Sequence, residues 1–380
     1  MDTNTRTIDG NLTTTDPSLT AEDWTSPPLA RILGGGPVLL SIPIQYLSDG
    51  IGWMSVSMQI TYTLQAIEFF YYPILAIAGV FANVATIVVI SKGNCGLSKC
   101  VTRYLLAMAA ADLLIVIFDL ILRHIPIVYE QFFDAMIGLH LCNIHAVLLY
   151  AVTDCSVWFT VTFTFDRFVA ICCPKLKSKY CSEKTAAVVL GTVAVLSCLK
   201  NIFWYFMFDP GYMLGNTPWF CEVSIKKTQS IIWGTVEFIH YIITPATPFV
   251  LILLLNVLTV RHIVLSSRAR RRLRAHSSGE SPRDPEMESR RKSIILLFII
   301  SLNFVLLWAI YMVYFIVNRI YGLLIEHIPL PTCVQELGFM LQLLSCCTNT
   351  VIYAISQTKF REQLKNMMKY PFILLMKQIK

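Results

Sequence analysis

The stretch YLLAMAAADLLIVIFDLILRHIPIV, from Tyr104 to Val128, decides the fold class of this chain. It is apolar along nearly all of its length, and the ionisable residue Asp112 lies well inside it. A helix needs roughly 20 consecutive, predominantly apolar residues to cross the hydrocarbon core of a bilayer. The stretch therefore predicts a transmembrane helix.

Six further apolar stretches resemble it in length. Hydrophobic residues make up 55% of the chain, charged residues only 14%, and the mean hydropathy is +0.60, which is too apolar for a soluble protein of 380 residues. We therefore expect an all-α membrane protein, a seven-transmembrane helix bundle. The predicted spans are Ala66–Ser91, Tyr104–Val128, Gly138–Cys172, Thr185–Phe208, Gln229–His262, Lys292–Arg319 and Thr332–Ser356.

The basic residues predict the orientation of the bundle. Lys and Arg are concentrated after the first, third and fifth spans, with the densest run between Arg268 and Arg274. Connections that are rich in Lys and Arg face the cytoplasm. We therefore expect an extracellular N-terminal tail over residues 1–65, the bundle over residues 66–356 and a cytoplasmic segment over residues 357–380. Asn11 begins an N-glycosylation acceptor pattern inside the tail.

The segment after the last span has its own pattern. From Lys359 to Lys365, apolar and basic positions alternate at helical spacing, and Phe360 and Leu364 share one face. Such a pattern is typical of a short amphipathic helix on a membrane surface, with its basic side chains near anionic lipid headgroups. We expect Phe360 and Leu364 to face the inner leaflet.

A polar cluster is predicted inside the bundle. Ionisable groups are rare within membranes, where they need partners or water. Asp112 has possible partners in Asn83 on the first span, Ser156 on the third and Asn349 on the seventh. These four residues suit a sodium ion or a proton-linked switch. The alternative is a hydrogen-bonded structural contact without ion binding.

Asp166 and Arg167 stand at the inner end of the third span. An arginine held by a neighbouring carboxylate can turn inward to meet a protein partner when that side of the bundle opens. The alternative is an arginine that extends to the lipid headgroups.

Several motifs resemble those of the rhodopsin-like class of G-protein-coupled receptors. Asp166-Arg167-Phe168 is similar to the Asp-Arg-Tyr motif of the class, and the segment from Asn349 to Tyr353 is similar to its Asn-Pro-x-x-Tyr motif. Further matches are Gly79 and Asn83 in the first span, Asp112 in the second, Pro248 in the fifth, and Trp308 with Phe304 in the sixth.

This resemblance implies a plasma-membrane receptor that binds an extracellular ligand and activates a heterotrimeric G protein. It also implies a disulfide bond between Cys142 and Cys221 on the oxidising side of the membrane. The residues to which it assigns activation and G-protein coupling are Asp166, Arg167, Phe168, Phe304, Trp308, Asn349 and Tyr353.

Within the class, the second and third spans look most like the orphan branch of probable G-protein coupled receptor 139. That resemblance implies an aromatic amino acid or a short peptide as ligand, and the Gq subtype of G protein. His240 and Trp308 match the branch. Leu149 stands where the branch has an acid, and Tyr311 stands where it has an arginine.

The outer halves of the spans supply a predicted ligand pocket. Pockets in helix bundles are mostly apolar, with a few convergent polar groups. Asp119 and Arg123 lie four residues apart, so they are alternatively a simple intrahelical ion pair. His145 and His240 are alternatively bundle residues with internal partners. The predicted lining residues are Asp119, Arg123, His145, Leu149, Tyr150, Glu237, His240, Trp308, Tyr311 and Phe339.

Three departures from the class bear on mechanism. The sixth span lacks the usual proline after Trp308, and Thr350 replaces the proline of the seventh, so any bends need other causes. Arg290 occupies the position of the acid that often locks the third-span arginine. We therefore expect appreciable signalling without ligand.

Other function classes are disfavoured. The chain has no zinc-protease, nucleophile-elbow or phosphate-loop motif, so we expect no enzyme activity and no cofactor, apart from a possible sodium ion at Asp112. The basic run suits anionic lipid or a G protein better than nucleic acid. One alternative is a transporter or channel that uses Asp112, Asp154 and Glu237 along its path. Another is a partner protein that binds no ligand and does not signal.

Overall fold

A computed structural model of the chain describes residues 56–93, 95–129, 142–214, 217–223, 230–274, 285–324 and 330–378. Seven helices in these ranges are long and apolar enough to cross a membrane. The predicted all-α fold with seven spans is confirmed. We number the spans in chain order: Gln59–Ser91, Lys99–Val128, Asn143–Cys172, Glu183–Met207, Ile231–Ala269, Ser293–Tyr321 and Thr332–Ser356.

Four of these spans belong to single continuous α-helices. The sequence lacks proline within the middle of the sixth and seventh spans, and both remain uninterrupted in the structure. The observed bounds of the seventh coincide with the predicted ones. The continuous helices are Val56–Ser91, Cys142–Cys172, Pro285–Leu324 and Thr332–Ser356.

The second and fifth spans contain the irregular turns of the bundle. In the second, an α-helix over Lys99–Ile115 is followed by a π-helical segment, Val116–His124, and a last turn, Ile125–Val128. In the fifth, the π-helical segment Ile242–Ala246 separates helices Ile231–Tyr241 and Thr247–Arg274. Within this segment Thr244 leaves the helical conformation, immediately before Pro245, which has no backbone N–H to donate.

The fourth span and its neighbours complete the secondary structure. The side chain of Ser182 accepts a hydrogen bond from the Thr185 backbone N–H at 3.1 Å and so caps the helix. A two-stranded antiparallel hairpin, β1 (Phe208–Leu214) and β2 (Thr217–Val223), follows the span. The remaining helical elements are Pro174–Tyr180, Glu183–Lys200, the 3₁₀ turn Asn201–Phe203 and Trp204–Met207.

Some helices are longer than the apolar pattern predicts. The first begins at Val56 and not at Ala66, because the intervening residues include no glycine or proline. The helix of the fifth span continues to Arg274, beyond its predicted end at His262. The helix of the sixth span begins at Pro285, before its predicted start at Lys292. Polar residues end an apolar run without ending a helix, so hydropathy underestimates these lengths.

The third span lies at the centre of the bundle. It packs against the second, fourth, fifth and sixth spans, while the seventh packs between the first and the sixth. We call the end of the bundle that carries β1 and β2 the hairpin end, and the opposite end, where Asp166 and Arg167 lie, the Arg167 end. These names imply no orientation in the cell.

The C-terminal helix, Thr358–Gln378, is amphipathic as predicted. Its apolar face has a different environment from the expected one, since Phe360 is buried against the bundle and meets the Tyr353 ring edge-on at 5.9 Å between centroids. Leu364 packs against the same core cluster. The expectation that both face the lipid is wrong, because Phe360 and Leu364 pack against the core of the bundle, whereas charged residues such as Lys359, Arg361 and Lys365 are exposed.

Candidate functional site

Arg167 is held by Asp166 at the end of the third span. Its Nε donates to Asp166 Oδ2 at 3.0 Å, its Nη2 donates to the same oxygen, and both residues are buried. Cys100 of the second span donates its thiol to the other carboxylate oxygen at 3.2 Å. Both oxygens of the carboxylate therefore accept hydrogen bonds, and two of these bonds hold Arg167 beside Asp166. Phe168 beside it is half-buried.

On the sixth span, Arg167 meets a hydroxyl. Its Nη1 donates to Ser293 Oγ at 3.2 Å. A neutral hydrogen bond is weaker than a bond to a carboxylate. Sequence reasoning pointed to Arg290 at this contact and missed Ser293, because the contact depends on how the two helices are rotated. Each described contact of Arg167 with the sixth span can therefore break more easily than an ion pair.

Cys181, beyond the third span, closes this site from the side. Its thiol donates to the Asp166 backbone oxygen at 3.5 Å. Burial, followed by the negative charge of Asp166, raises the pKa of the Cys181 thiol to about 12. This thiol is therefore protonated at neutral pH and acts as a hydrogen-bond donor.

Asp112 gathers two of its three predicted partners. Ser156 Oγ donates to Oδ1 and Asn349 Nδ2 donates to Oδ2, each at 2.6 Å. Asn83 bonds elsewhere, since its Nδ2 donates to the backbone oxygens of Gly79 and Cys346. The cluster therefore joins the second, third and seventh spans, while Asn83 ties the first span to the seventh.

Trp308 lies midway along the sixth span, as an element of the aromatic core. Its ring stacks with Phe304 at 5.5 Å, and its Nε1 donates to Ser345 Oγ on the seventh span at 2.9 Å. Tyr311 meets it edge-on at 5.6 Å. Tyr353, nearer the Arg167 end, is buried. Trp308 is therefore restrained by rings and by one hydrogen bond that a small rotation would break.

At the hairpin end, Asp119 and Arg123 pair with each other. Arg123 Nη1 lies 3.1 Å from Asp119 Oδ1, so the intrahelical pair that the spacing allows is present. The guanidinium also lies over the Phe339 ring, 5.1 Å from its centroid. A cation above a ring is stabilised by the ring quadrupole. The pair therefore lies against the seventh span.

A second ion pair joins the fifth and sixth spans at the hairpin end. Arg319 of the sixth span donates to Glu237 Oε1 of the fifth, and the Glu237 side chain is almost completely buried. Arg319 is a candidate pocket residue that the sequence does not single out, because it lies at the end of the predicted sixth span. A third pair joins Asp154 and Lys200 at 2.6 Å, and Lys200 also donates to Thr244 at 3.2 Å.

Aromatic rings lie between these pairs. Tyr150 stacks on Trp204 at 3.8 Å, and His240 meets both rings edge-on. His145 contacts the Phe118 backbone oxygen through Nε2 at 2.7 Å. Leu149 is buried and offers no charge. His145 therefore has an internal partner, whereas His240 Nδ1 is buried without a hydrogen bond.

Two predicted modification sites lie beyond what the structure describes. Asn11 lies outside the described residues. Cys142 begins the third helix and Cys221 lies in β2, but the side chains of both fall outside the described part of the chain. The glycan and the disulfide bond remain predictions.

Seven packed spans, an Asp–Arg pair at one end and a central tryptophan in an aromatic core are the arrangement of a membrane receptor. The family model of the 7 transmembrane receptor (rhodopsin family) matches residues 82–353, well over half of the chain, and the chain therefore belongs to this family. It is a multi-pass membrane receptor and not an enzyme.

Individual relatives are distant. Human G-protein coupled receptor 39 is 29% identical over 154 residues, which cover 39% of this chain and 33% of the relative. The mouse protein of that name is 25% identical over 151 residues, which cover 39% of this chain and 32% of the relative. The matched part thus spans about a third of these relatives. Mouse G-protein coupled receptor 15 is 20% identical over 326 residues, covering 83% of this chain and 82% of the relative.

Proposed function

We propose that the chain is a ligand-activated receptor of the plasma membrane whose Arg167 end faces the cytoplasm and engages a heterotrimeric G protein. The N-terminal tail is then extracellular, as the basic connections favour. Family membership supports receptor signalling in general, and the Gq subtype follows from the resemblance of the second and third spans alone. Epitope tags at the two termini test the orientation, which fails if both are found on one side of the membrane.

The contacts of Arg167 carry this proposal. In the arrangement described, Asp166 and Ser293 hold the guanidinium against the bundle wall. Movement of the sixth span away from the third breaks the Ser293 contact and opens a space into which Arg167 turns. A donor with five N–H groups then meets backbone carbonyls of the G protein.

The ligand acts from the hairpin end. It shifts the bundle only to the extent that it binds the active arrangement more tightly than the inactive one. We infer a small ligand, with an aromatic amino acid or a short peptide favoured. The pairs Asp119–Arg123 and Glu237–Arg319 supply both signs of charge, and Tyr150, Trp308, Tyr311 and Phe339 supply aromatic walls.

Nucleotide exchange tests the coupling without a known ligand. The full chain in lipid nanodiscs is mixed with purified heterotrimeric G proteins, Gq among them, and nucleotide uptake is measured. We expect exchange above that of protein-free nanodiscs and its loss in Arg167→Ala. Arg103→Ala is a matched control, because Arg103 lies at the same end in a surface pair with Glu183.

Absence of exchange by every G protein would overturn the coupling, as would equal exchange by the Arg167→Ala variant. Solute flux through the same nanodisc-derived liposomes, without exchange, would instead favour a transporter. Addition of aromatic amino acids and short peptides to cells with a calcium readout then narrows the ligand.

A further inference from the structure

Three buried polar atoms without a hydrogen-bond partner lie close together at the hairpin end. They are Glu68 Oε1 and the Tyr72 hydroxyl on the first span, and His124 Nε2 on the second. All three residues are almost completely buried, and the Tyr72 and His124 rings lie 5.0 Å apart. Buried polar groups are nearly always paired, so three unpaired atoms in one place need an explanation.

The surroundings of these atoms are acidic. The carboxyl group of Glu336, on the seventh span, lies next to Glu68, and Tyr72 lies within electrostatic range of Glu68, Glu336 and Asp119. Asp119 Oδ1 is 3.4 Å from His124 Nε2, outside hydrogen-bond geometry. Of these acids, Asp119 has a cationic partner in Arg123. Glu68 and Glu336 show no ion pair in the described part of the chain.

Two neighbouring carboxylates at low dielectric repel each other unless a cation or a shared proton lies between them. Among the described residues, no group of three His, Cys, Asp or Glu side chains is arranged to hold a metal ion. An organic cation fits better, since its N–H groups match Glu68 Oε1 and the Tyr72 oxygen. The third span has the apolar Leu149 where the branch of probable G-protein coupled receptor 139 has an acid, so a cationic ligand group needs a carboxylate on another span.

We propose that Glu68, Glu336 and Tyr72 form a subsite between the first, second and seventh spans for an ammonium or guanidinium group of the ligand. This inference rests on the proposed function in one respect, because it takes the cationic group to be part of the receptor's ligand. Glu336 is only partly buried and forms the open side of the subsite.

Binding of a simple probe tests the subsite. Phenethylamine is added to the full chain in nanodiscs, and saturation-transfer NMR reports its binding up to millimolar concentrations. Phenethyl alcohol, which has the same shape without the charge, is the neutral control. We expect the amine to bind and the alcohol to bind at least about tenfold more weakly.

Variants assign the probe to these residues. Glu68→Gln and Glu336→Gln keep the shape of the side chains and are each expected to weaken amine binding about tenfold or more. Glu362→Gln, at an exposed position of the C-terminal helix, is the matched control and leaves binding unchanged. Amine and alcohol of equal affinity, no binding of either, or binding insensitive to both variants overturns the subsite.

Infrared spectroscopy provides an independent readout that does not depend on the G protein. If Glu68 and Glu336 instead share a proton, the unbound receptor shows an infrared band of a protonated carboxyl group. Glu68→Gln then removes this band, whereas a saturating concentration of the amine leaves it in place. That result also overturns the proposal. Nucleotide exchange is measured on the same samples. Amine binding without nucleotide exchange would contradict the proposed G-protein coupling and would still support the subsite.

Discussion

Asp112 on the second span and Asn349 on the seventh are joined by a hydrogen bond of 2.6 Å, although 237 positions separate them in the chain. Ser156 of the third span occupies the other carboxylate oxygen. Three spans therefore meet at one buried acid. Carboxylate and hydroxyl oxygens are also the ligands that hard cations prefer.

We predict that sodium stabilises the receptor through this carboxylate. At ten times its dissociation constant, a bound ion adds about 1.4 kcal/mol to the free energy of unfolding. Thermal unfolding of the purified chain should therefore occur roughly 2 °C or more higher in NaCl than in KCl. Asp112→Asn preserves the shape of the side chain: its amide oxygen can still accept from Asn349 Nδ2, and its amide nitrogen can donate to the Ser156 hydroxyl, which reverses that one bond. Because the variant has no charge, it should abolish the difference between the two salts.

Asn83→Ala provides the control for sodium. Because Asn83 bonds to backbone oxygens and not to Asp112, this variant should lower the unfolding temperature in both salts while keeping the sodium effect. Equal unfolding of the unaltered chain in NaCl and KCl would leave the cluster as a structural contact only.

The hydroxyl that meets Arg167 gives a second prediction. Ser293→Glu places a carboxylate where a neutral oxygen now accepts from Arg167 at 3.2 Å. A charge-assisted bond contributes about 1.5–3 kcal/mol, so the inactive arrangement gains stability. We expect ligand-independent nucleotide exchange to fall about tenfold or more.

Ser293→Gln has the same length without the charge and should leave exchange within a factor of about two. If Ser293→Glu and Ser293→Gln lower exchange equally, side-chain size explains the effect. In that case, the lack of an acid opposite Arg167 on the sixth span does not explain signalling without ligand.

The sequence predicts the spans well because hydropathy is a local property. The seventh span was predicted at the bounds observed, and the Asp112 contacts with Ser156 and Asn349 follow from polar residues that have few other partners inside a membrane. The rotation of each helix about its axis is not local. For that reason the sequence points to Arg290 as the neighbour of Arg167, whereas the structure shows that the neighbour is Ser293.

The π-helical segments change these rotations further. Val116–His124 inserts extra residues into one turn of the second span, so the directions of Asp119, Arg123 and His124 cannot be derived from a regular helical period. The Glu237–Arg319 pair depends in the same way on where the fifth and sixth spans face each other. Contacts of this kind require the packed structure.

The thiol beside Asp166 gives a prediction of pH dependence. Because burial raises the pKa of Cys181 to about 12, the reactive thiolate is rare at neutral pH and increases about tenfold for each pH unit. Its maleimide labelling rate, followed by mass spectrometry of the Cys181 peptide, should rise steadily from pH 7 to pH 10. A cysteine of ordinary pKa, near 8.5, reaches a plateau within this range.

Asp166→Asn is the informative variant here. Removing the negative charge lowers the pKa of the thiol, so labelling of Cys181 at pH 8 should become faster. A plateau below pH 9 in the unaltered chain would mean that Cys181 is not held against Asp166 as described.

The tight packing around Gly79, between the first and seventh spans, gives the last prediction. A Cβ atom on Gly79 would lie 2.7 Å from Cys347 Sγ and 2.9 Å from Val116 Cγ2, distances that require the neighbours to move. Overpacking of this kind costs about 1–3 kcal/mol. Gly79→Ala should therefore lower the unfolding temperature of the purified receptor, and adding Cys347→Ala should restore part of the loss. Gly191→Ala meets nothing within 4 Å and should cause no fall. Equal unfolding temperatures for Gly79→Ala and Gly191→Ala would show that the two spans are not packed this closely.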